Sequence, residues 1–572
     1  TATAITGSAA AIATALSSSG ITDAASITAT VGAGSASAAD LNTINANTTT
    51  DVVASAVTDV TGTAVAIITA YQASGMTGLG NETVNANSGN TNVAQFLTID
   101  NETSGVITAT IDEGDITTLA TISGTGNALS ITVTDTGVTA AELNTLNGKT
   151  SVAIDSTAVT TIESSAVADV NTMVTNNADI GLDSDWNVTL SDAALSAAEV
   201  KAVNAGTSGE ITMSAAETIE ASSVSDILEI VQNTGATFVT ASNYAVTLND
   251  TSASAANIKL INADSSGAIN MATVTTITSS SISDILEIVQ NTGAAFTTAS
   301  NYAVTLSDTS GSAADIATIN ADSTGAIDMS AMTTITSSTT ANVLAIVNNT
   351  GATITTASNY AVTLSDTASA ANANTIMGDT TGIVTATVTA TGAVSALNTA
   401  LSNATATSAL TMVLNATAAT AAQLNTLNGK TSVAINAASI NTVTGVAADA
   451  VTLYQGSGVS GLANEAITVD SGTLTVSQHN VLDALSTGVI TATIDEGDLS
   501  TLATLANANT NNVLTVTVTE SAGTAVAATV LSTLGGKSYG SGVVTVSNAI
   551  VISGTTAEIN TALIGASSVV AS

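Results

Sequence analysis

Two kinds of hydrophobic pattern follow each other along this chain. Residues 246–248, Val-Thr-Leu, alternate apolar and polar side chains, which predicts a short strand with one buried face. Ile258 and Ile261 then lie at helical spacing behind Ser254, a residue type that caps helix N-termini. Gly267 suits the helix exit, where a positive φ is often needed. The pattern predicts a short strand, a turn and a short helix.

The pattern recurs at a fixed distance. The segment Asn-Tyr-Ala-Val-Thr-Leu at 243–248 returns at 301–306 and 359–364, a spacing of 58, and Trp186 holds the tyrosine position in a fourth copy. Each copy divides again into halves of about 29 residues. One half cannot bury its apolar face alone, whereas stacked halves can. The sequence therefore predicts a solenoid repeat protein with mixed β/α coils, each a short strand, a turn and a short helix. An all-β solenoid is the alternative, because residues 513–520 form a longer Val/Thr run.

A long-range duplication suggests how the chain is organised. Residues 105–115 return almost unchanged as 488–498, an offset of 383. We therefore expect three regions: diverged repeats at 1–168, regular 58-residue double-coil repeats at 169–400, and repeats at 401–572 that duplicate the N-terminal block.

Composition narrows the functional classes. The 572 residues include 5 lysines, no arginine and 44 acidic residues, a net charge of −39, which argues against nucleic-acid binding. No apolar run reaches the length of a membrane span, so membrane insertion is not expected. The absence of cysteine removes thiolate catalysis and zinc–thiolate sites. The absence of proline fits a long array of strand hydrogen bonds, which proline interrupts.

One acidic motif occurs in both copies of the duplicated block. Its members are Asp112, Glu113, Asp115, Asp495, Glu496 and Asp498. We treat these residues as candidate Ca²⁺ ligands, because Ca²⁺ binds six to eight oxygens. The EF-hand spacing is missing, and the alternative reading is solvated turn carboxylates and helix N-caps.

Other residue types carry weaker signals. His479, the single histidine, is expected at the surface or in a turn, and the recurring Tyr/Trp position is expected to be an aromatic edge anchor. All five lysines lie in or just after an A-A-x-[ILV]-x-x-[ILV]-N motif; we expect them to close helix C-termini and neutralise nearby carboxylates. The alternative is contact with an acidic face of a neighbouring molecule. The threonine-rich run 380–389 raises an ice- or carbohydrate-binding alternative to ordinary strand threonine.

The phrases A-A-E-L-N-T-L-N-G-K-T-S-V at 140–152 and G-V-I-T-A-T-I-D-E-G-D at 105–115 resemble those of giant repetitive secreted surface proteins. Such proteins, described as S-layer, hemolysin-like or adhesin-like, come from cyanobacteria and other Gram-negative bacteria. The resemblance implies export without a Sec signal, a cell-surface location and calcium-dependent assembly. It supplies no catalytic residue.

Together these observations predict a structural extracellular protein, a self-assembling building block of a surface filament, sheath or S-layer. The alternative is an adhesin spacer or an ice/carbohydrate-binding solenoid. We expect a secreted or cell-surface location and a homo-oligomer or polymer, with a surface glycan as a further partner. We expect no enzymatic activity, because the uniform repeats leave no distinct stretch for a cleft.

Overall fold

A computed structural model of the chain describes residues 2–507, 509, 511–538, 540–565 and 570–571. Contacts divide the chain into two compact units, each treated separately below. The N-terminal unit comprises Thr1–Thr275 and Gln290–Ala299, and the C-terminal unit comprises Thr276–Val289 and Ser300–Ser572.

Helices of the N-terminal unit are short, at most ten residues. They are α1 (Ala9–Leu16), α2 (Ala38–Asn47), α3 (Ala64–Tyr71), α4 (Val93–Asp100), α5 (Ile116–Leu119), α6 (Ala140–Asn147), α7 (Val167–Thr175), α8 (Asn177–Ile180), α9 (Ala197–Asn204), α10 (Val224–Val231) and α11 (Ala255–Asp264). Its strands are β1 (Ala4–Gly7), β2 (Thr28–Val31), β3 (Gly34–Ser37), β4 (Val52–Val53), β5 (Val57–Thr61), β6 (Met76–Thr77), β7 (Thr83–Asn85), β8 (Ile107–Thr110), β9 (Ala128–Ser130), β10 (Gly137–Val138), β11 (Thr161–Ser165), β12 (Asn187–Leu190), β13 (Ala194–Leu195), β14 (Ile211–Met213), β15 (Thr218–Ser222), β16 (Phe238–Thr240), β17 (Ala245–Leu248), β18 (Ser252–Ser254), β19 (Ile269–Met271) and β21 (Phe296–Thr298).

The C-terminal unit continues the same alternation of strands and helices. Its helices are α12 (Ile282–Val289), α13 (Ala313–Asp322), α14 (Thr340–Val347), α15 (Ala370–Asp379), α16 (Val394–Ala400), α17 (Ala421–Asn428), α18 (Ala447–Gln455), α19 (Val476–Leu485), α20 (Leu499–Leu502), α21 (Ala528–Gly535) and α22 (Thr556–Leu563). Its strands are β20 (Thr276–Ser280), β22 (Ala303–Leu306), β23 (Ser310–Ser312), β24 (Ile327–Met329), β25 (Thr334–Ser338), β26 (Ile354–Thr356), β27 (Ala361–Ser369), β28 (Val384–Thr389), β29 (Ala409–Met412), β30 (Ala418–Thr420), β31 (Ile435–Asn436), β32 (Thr442–Val446), β33 (Val459–Ser460), β34 (Ala466–Ser471), β35 (Ile490–Thr493), β36 (Val513–Val518), β37 (Ala525–Ala527), β38 (Val543–Val546), β39 (Val551–Ser553) and β40 (Val570–Ala571).

All strands of the N-terminal unit pair in parallel, in four sheets. Their orders are β1-β2-β4-β6, β3-β5-β7-β8-β9, β10-β11-β12-β14-β16 and β13-β15-β17-β19-β21. Parallel neighbours need a crossover, and the short helices supply it. The C-terminal unit contains the series β20-β22-β24-β26, β23-β25-β27-β28-β29 and β30-β32-β34-β35-β36-β38-β40, with the pairs β31-β33 and β37-β39. No sheet closes into a barrel in the described residues. The mixed β/α alternation is confirmed, and the all-β alternative is wrong.

The sequence pattern explains the burial. In β17, Val246 and Leu248 are buried, and in α10 the inward positions are Val224, Ile227 and Ile230. Consecutive helices pack on one another, as α9 does on α10, so each helix buries one apolar stripe between strands and neighbours. The predicted N-cap at Ser254 is confirmed, because its hydroxyl accepts a hydrogen bond from the Asn257 amide at 3.2 Å.

Helices and strands advance along the chain at different rates. Helices α9, α10 and α11 begin at 197, 224 and 255, so helix starts are 29 residues apart on average. Paired strands are closer in sequence: Thr218 pairs with Ala245 and Val246 with Ile269, steps of 27 and 23. A ladder therefore falls behind the 58-residue pattern and drifts sideways. This drift explains why the sheet beginning at β13 ends after five strands.

The predicted positive φ at Gly267 is wrong. Left-handed φ occurs instead at the exit of the other helices, for example at Asn291 (51°) and Gly293 (93°). Gly267 has an ordinary φ, and its lack of a side chain serves a close approach of two backbone segments. An alanine Cβ at this position would clash with the carbonyl oxygen of Tyr244.

Candidate functional site

Carboxylates placed after one strand cap the preceding helix. The amide of Val224, the first residue of α10, donates to Asp250 Oδ2 at 2.7 Å, and that of Ile282 in α12 donates to Asp308 Oδ2 at 2.6 Å. The first amides of a helix have no intrahelical acceptor, and the helix dipole favours negative charge there. The same arrangement joins Val93 to Glu113, Ile116 to Asp135, Val167 to Asp192, Thr340 to Asp366, Val476 to Glu496 and Leu499 to Glu520.

A serine hydroxyl replaces the carboxylate at several intervening helices. The Ala197 amide of α9 donates to Ser222 Oγ at 2.8 Å, and the Ala313 amide of α13 donates to Ser338 Oγ at 2.8 Å. These serines are buried, at 3% and 4% exposure, where an ionised group would be costly. The exposed Asp366 stays charged: the Thr340 hydroxyl and amide hold the pKa of its carboxyl below the ordinary value.

The six predicted Ca²⁺ ligands lie in these capping networks. In the first copy, Asp112 accepts from Asn90 at 2.7 Å, Glu113 caps α4, and Asp115 caps α5 by accepting from the Thr118 amide at 2.9 Å. That amide bond lowers the pKa of Asp115.

The second copy repeats the arrangement. Glu496 caps α19, and Asp498 caps α20 through the Thr501 amide at 2.9 Å. The Asp495 backbone amide donates to the Leu474 carbonyl. The Ser500 hydroxyl and the Thr501 amide lower the pKa of Asp498. The N-cap alternative is thus confirmed for Asp115 and Asp498. Across the described residues, no three His, Cys, Asp or Glu side chains form a group able to hold a metal ion. Calcium binding stays a prediction.

The recurring tyrosines pair with acidic side chains. Tyr244 donates to Asp264 at 2.5 Å and Tyr302 to Asp322 at 2.6 Å, and both tyrosines are buried. The same contact links Tyr360 to Asp379, Tyr71 to Glu82 and Tyr454 to Glu465. Burial and the adjacent carboxylate raise the pKa of all five phenols.

The predicted edge location of the aromatic position is wrong. Trp186 is 1% exposed, and its Nε1 has no hydrogen-bond partner within the described chain. The carboxylate partner is missing in this copy because Gly206 stands where the next copy has Asp264. A tryptophan has no hydroxyl to present to that carboxylate, so the two changes are linked.

Alkaline titration should reveal the buried phenols. Their raised pKa means that folding favours the neutral form, so stability is intact below about pH 10, the ordinary tyrosine pKa, and falls above it. We expect tyrosinate absorbance to appear together with loss of far-ultraviolet circular dichroism above that pH. Tyr539 lies outside the described residues and is free to titrate separately. Ionisation of most tyrosines near pH 10 with the fold intact would contradict this expectation.

The expected surface location of His479 is also wrong. His479 lies on α19 with 0% exposure, and its Nε2 is 3.4 Å from Asn512 Nδ2. Phe96 holds the equivalent position 383 residues earlier and is equally buried. The histidine therefore fills a phenylalanine core position. Burial lowers its pKa; the nearby Asp483 opposes that shift and Lys537 reinforces it.

Replacing His479 with phenylalanine should remove an acid-sensitive component of stability. A depressed pKa means that the unfolded chain binds the proton first, so stability falls as the pH drops below about 6.5, by up to about 1.4 kcal/mol per pH unit. Urea unfolding at about pH 7 and about pH 5.5 should show a smaller loss for His479→Phe than for the wild type. Phe96→His is the matched control, which should add sensitivity. Equal pH dependence in all three proteins would refute the assignment.

Lysines serve helix ends and acidic neighbours, in agreement with the predicted structural role. Lys430 Nζ donates to the carbonyl of Leu401, just after α16, at 2.8 Å. Lys537 Nζ donates to Ala503, just after α20, at 3.1 Å, and burial lowers the pKa of Lys537. Lys201 instead bridges Asp226 at 2.8 Å and Glu229 at 3.3 Å on the next helix. Lys430 and Lys537 thus close the preceding helix along the chain.

Two cavities flank the four-residue helix α20. One, of about 190 Å³, lies between α20 and α21 beside Leu502, Leu534 and Lys537, and the other, of about 510 Å³, lies beside Val481 and Glu496. The amine of Lys537 is bonded to backbone carbonyls and the carboxylate of Glu496 to a helix amide. Both groups therefore stabilise helix ends.

Comparison with family models, curated proteins and solved structures finds no match to this chain. Among the described helices, none combines the length and hydropathy required to cross a membrane. The resemblance to secreted surface proteins accordingly stays an expectation from sequence phrases.

Proposed function

We propose that this chain is a structural extracellular protein, a self-assembling building block of a surface filament, sheath or S-layer. In this proposal it is a solenoid with about 29 residues per coil. The observation that carries the proposal is the use of recurring polar side chains, which bond to the neighbouring coil. Asp250 and Asp308 cap helices 26 residues earlier in the chain.

Asparagines at helix exits add a second set of contacts between coils. Asn262 Nδ2 donates to the Thr292 carbonyl at 2.8 Å, and its Oδ1 accepts from the Ala294 amide at 2.7 Å. Asn320 makes the same pair of bonds to Thr350 and Ala352. Each asparagine thus holds the turn about 30 residues ahead, as a load-resisting array requires.

Charge gives the proposal a testable form. A protein with a net charge of −39 repels its copies in dilute buffer, and salt screens that repulsion. Light scattering of the purified chain across protein and salt concentrations tests assembly. We expect the mass to rise with both, and a monomer under all conditions would contradict the proposal.

Calcium enters the proposal in two forms. Capping bonds already occupy Glu113, Asp115, Glu496 and Asp498, so general screening needs only the net charge, whereas specific binding needs further ligands. Repeating the scattering with Ca²⁺ and with Mg²⁺ at equal ionic strength separates them. Equal responses indicate screening, and a response to Ca²⁺ alone indicates a site.

Exposed threonine rows favour a second candidate, an adhesin spacer or an ice/carbohydrate binder. Thr367, Thr387 and Thr411 lie in register on β27, β28 and β29, and all three are exposed. Thermal hysteresis or a glycan-array signal from a protein that stays monomeric would support this candidate against self-assembly.

A further inference from the structure

One long segment of this acidic chain has no acidic residue. Residues 380–448 contain neither Asp nor Glu, and Lys430 is their single charged side chain. Elsewhere, no interval between consecutive acidic residues exceeds 37 residues. We call residues 380–448 the neutral band. Since the whole chain has 44 acidic residues, this interruption is a distinct feature of its surface.

The neutral band includes an exposed sheet face in the C-terminal unit. It contains β28 to β31 and helices α16 and α17. Strand β28 pairs with β27 on one edge and β29 on the other, so its backbone is already satisfied. Its outward side chains are Thr385, Thr387 and Thr389. A partner must therefore dock on the side-chain face rather than add a strand.

The neutral band also has apolar projections and shallow hollows. Ile383 is 52% exposed, Val413 is 62% exposed and Val446 is 40% exposed. A hollow of about 200 Å³ lies beside Thr389 and Leu397. Another, of about 380 Å³, is formed by small and polar residues from 392–393 and 415–418. Projections and hollows on one patch are what a self-complementary two-fold interface requires.

We propose that the neutral band is the surface through which two copies of this chain associate. The reason is electrostatic: elsewhere, carboxylates recur at short intervals and would face carboxylates on an identical partner, whereas the neutral band brings none. Its exposed threonine, valine and isoleucine side chains lose little on desolvation compared with charged groups. This inference rests on the proposed self-assembly and names its contact surface.

Introducing acids into the neutral band tests the proposal. Thr387 and Thr411 are exposed register partners on adjacent strands, so Thr387→Asp/Thr411→Asp adds two charges at its centre. Thr493 and Thr515 are exposed register partners outside it, so Thr493→Asp/Thr515→Asp is the matched control. Circular dichroism and thermal melting verify that both full-length variants fold.

Sedimentation equilibrium at low and high salt gives the readout. We expect the band variant to raise the dissociation constant at least about tenfold at low salt, and the control to behave as the wild type. Unchanged association in the band variant would overturn the inference while leaving self-assembly intact, and equal losses in both variants would assign the effect to net charge. A monomeric wild type would remove the proposed function itself. A monomer whose glycan-array binding is lost only in the band variant would assign the surface to a glycan instead.

Discussion

Replacing Gly267 with alanine is expected to destabilise the protein by about 3 kcal/mol, near the upper end for overpacking. The Ser265 hydroxyl donates to the Tyr244 carbonyl at 2.6 Å and accepts from the Gly267 amide at 3.1 Å, which draws the two backbones together. An alanine Cβ would clash with that carbonyl oxygen, and because the obstacle is backbone it cannot rotate away.

Gly429→Ala is the matched control. Gly429 follows α17 with a φ of −66°, and the nearest atom to an added Cβ is 3.4 Å away, so its stability should be unchanged. Denaturant unfolding of both variants measures the difference. If Gly267→Ala were as stable as Gly429→Ala, the close approach of the two backbones would be wrong. Gly209, Gly325 and Gly382 make the same approach to Trp186, Tyr302 and Tyr360.

Glu465→Ala is expected to cost a further large amount, about 3 kcal/mol, because it leaves three donors without their acceptor. Glu465 is 1% exposed; it accepts from the Tyr454 hydroxyl at 2.8 Å and from the Ala463 and Asn464 amides at 2.6 and 3.3 Å. The substitution also leaves a cavity where the side chain was.

Tyr454→Phe is the control for this site, since it removes one donor and keeps the ring. We expect a loss of about 1 kcal/mol, smaller than for Glu465→Ala. Glu82, the equivalent residue 383 positions earlier, is also 1% exposed and accepts from Tyr71. Glu82→Ala should therefore reproduce the larger loss. Wild-type stability in both glutamate variants would show that these carboxylates are not the acceptors described here.

Local signals in the sequence predicted the elements well. Ser254 ahead of Ile258 and Ile261 correctly indicated a capped helix with one buried stripe, and the Val-Thr-Leu alternation correctly indicated β17. Both features depend on residues within one turn or one strand. The choice of helices over an all-β path followed from the same short-range spacing.

Contacts between distant residues were harder to predict. The role of Gly267 depends on the Tyr244 carbonyl 23 residues earlier, and the burial of His479 depends on neighbouring segments. A usable signal was present for the tyrosine pairs, because Tyr244 and Tyr302 each precede an aspartate by 20 residues. The equivalence of His479 and Phe96 across the duplication likewise pointed to a core position.

The central claim is that recurring carboxylates join successive helices, and residue-resolved hydrogen–deuterium exchange tests it directly. The first-turn amides of Val224, Ile282 and Thr340 donate to Asp250, Asp308 and Asp366. First-turn amides normally lack an intrahelical acceptor and exchange fast. We expect these three to exchange as slowly as amides inside α10. Val394 of α16, which has no side-chain cap, supplies the fast reference. Exchange of the three amides at the Val394 rate would contradict the claim.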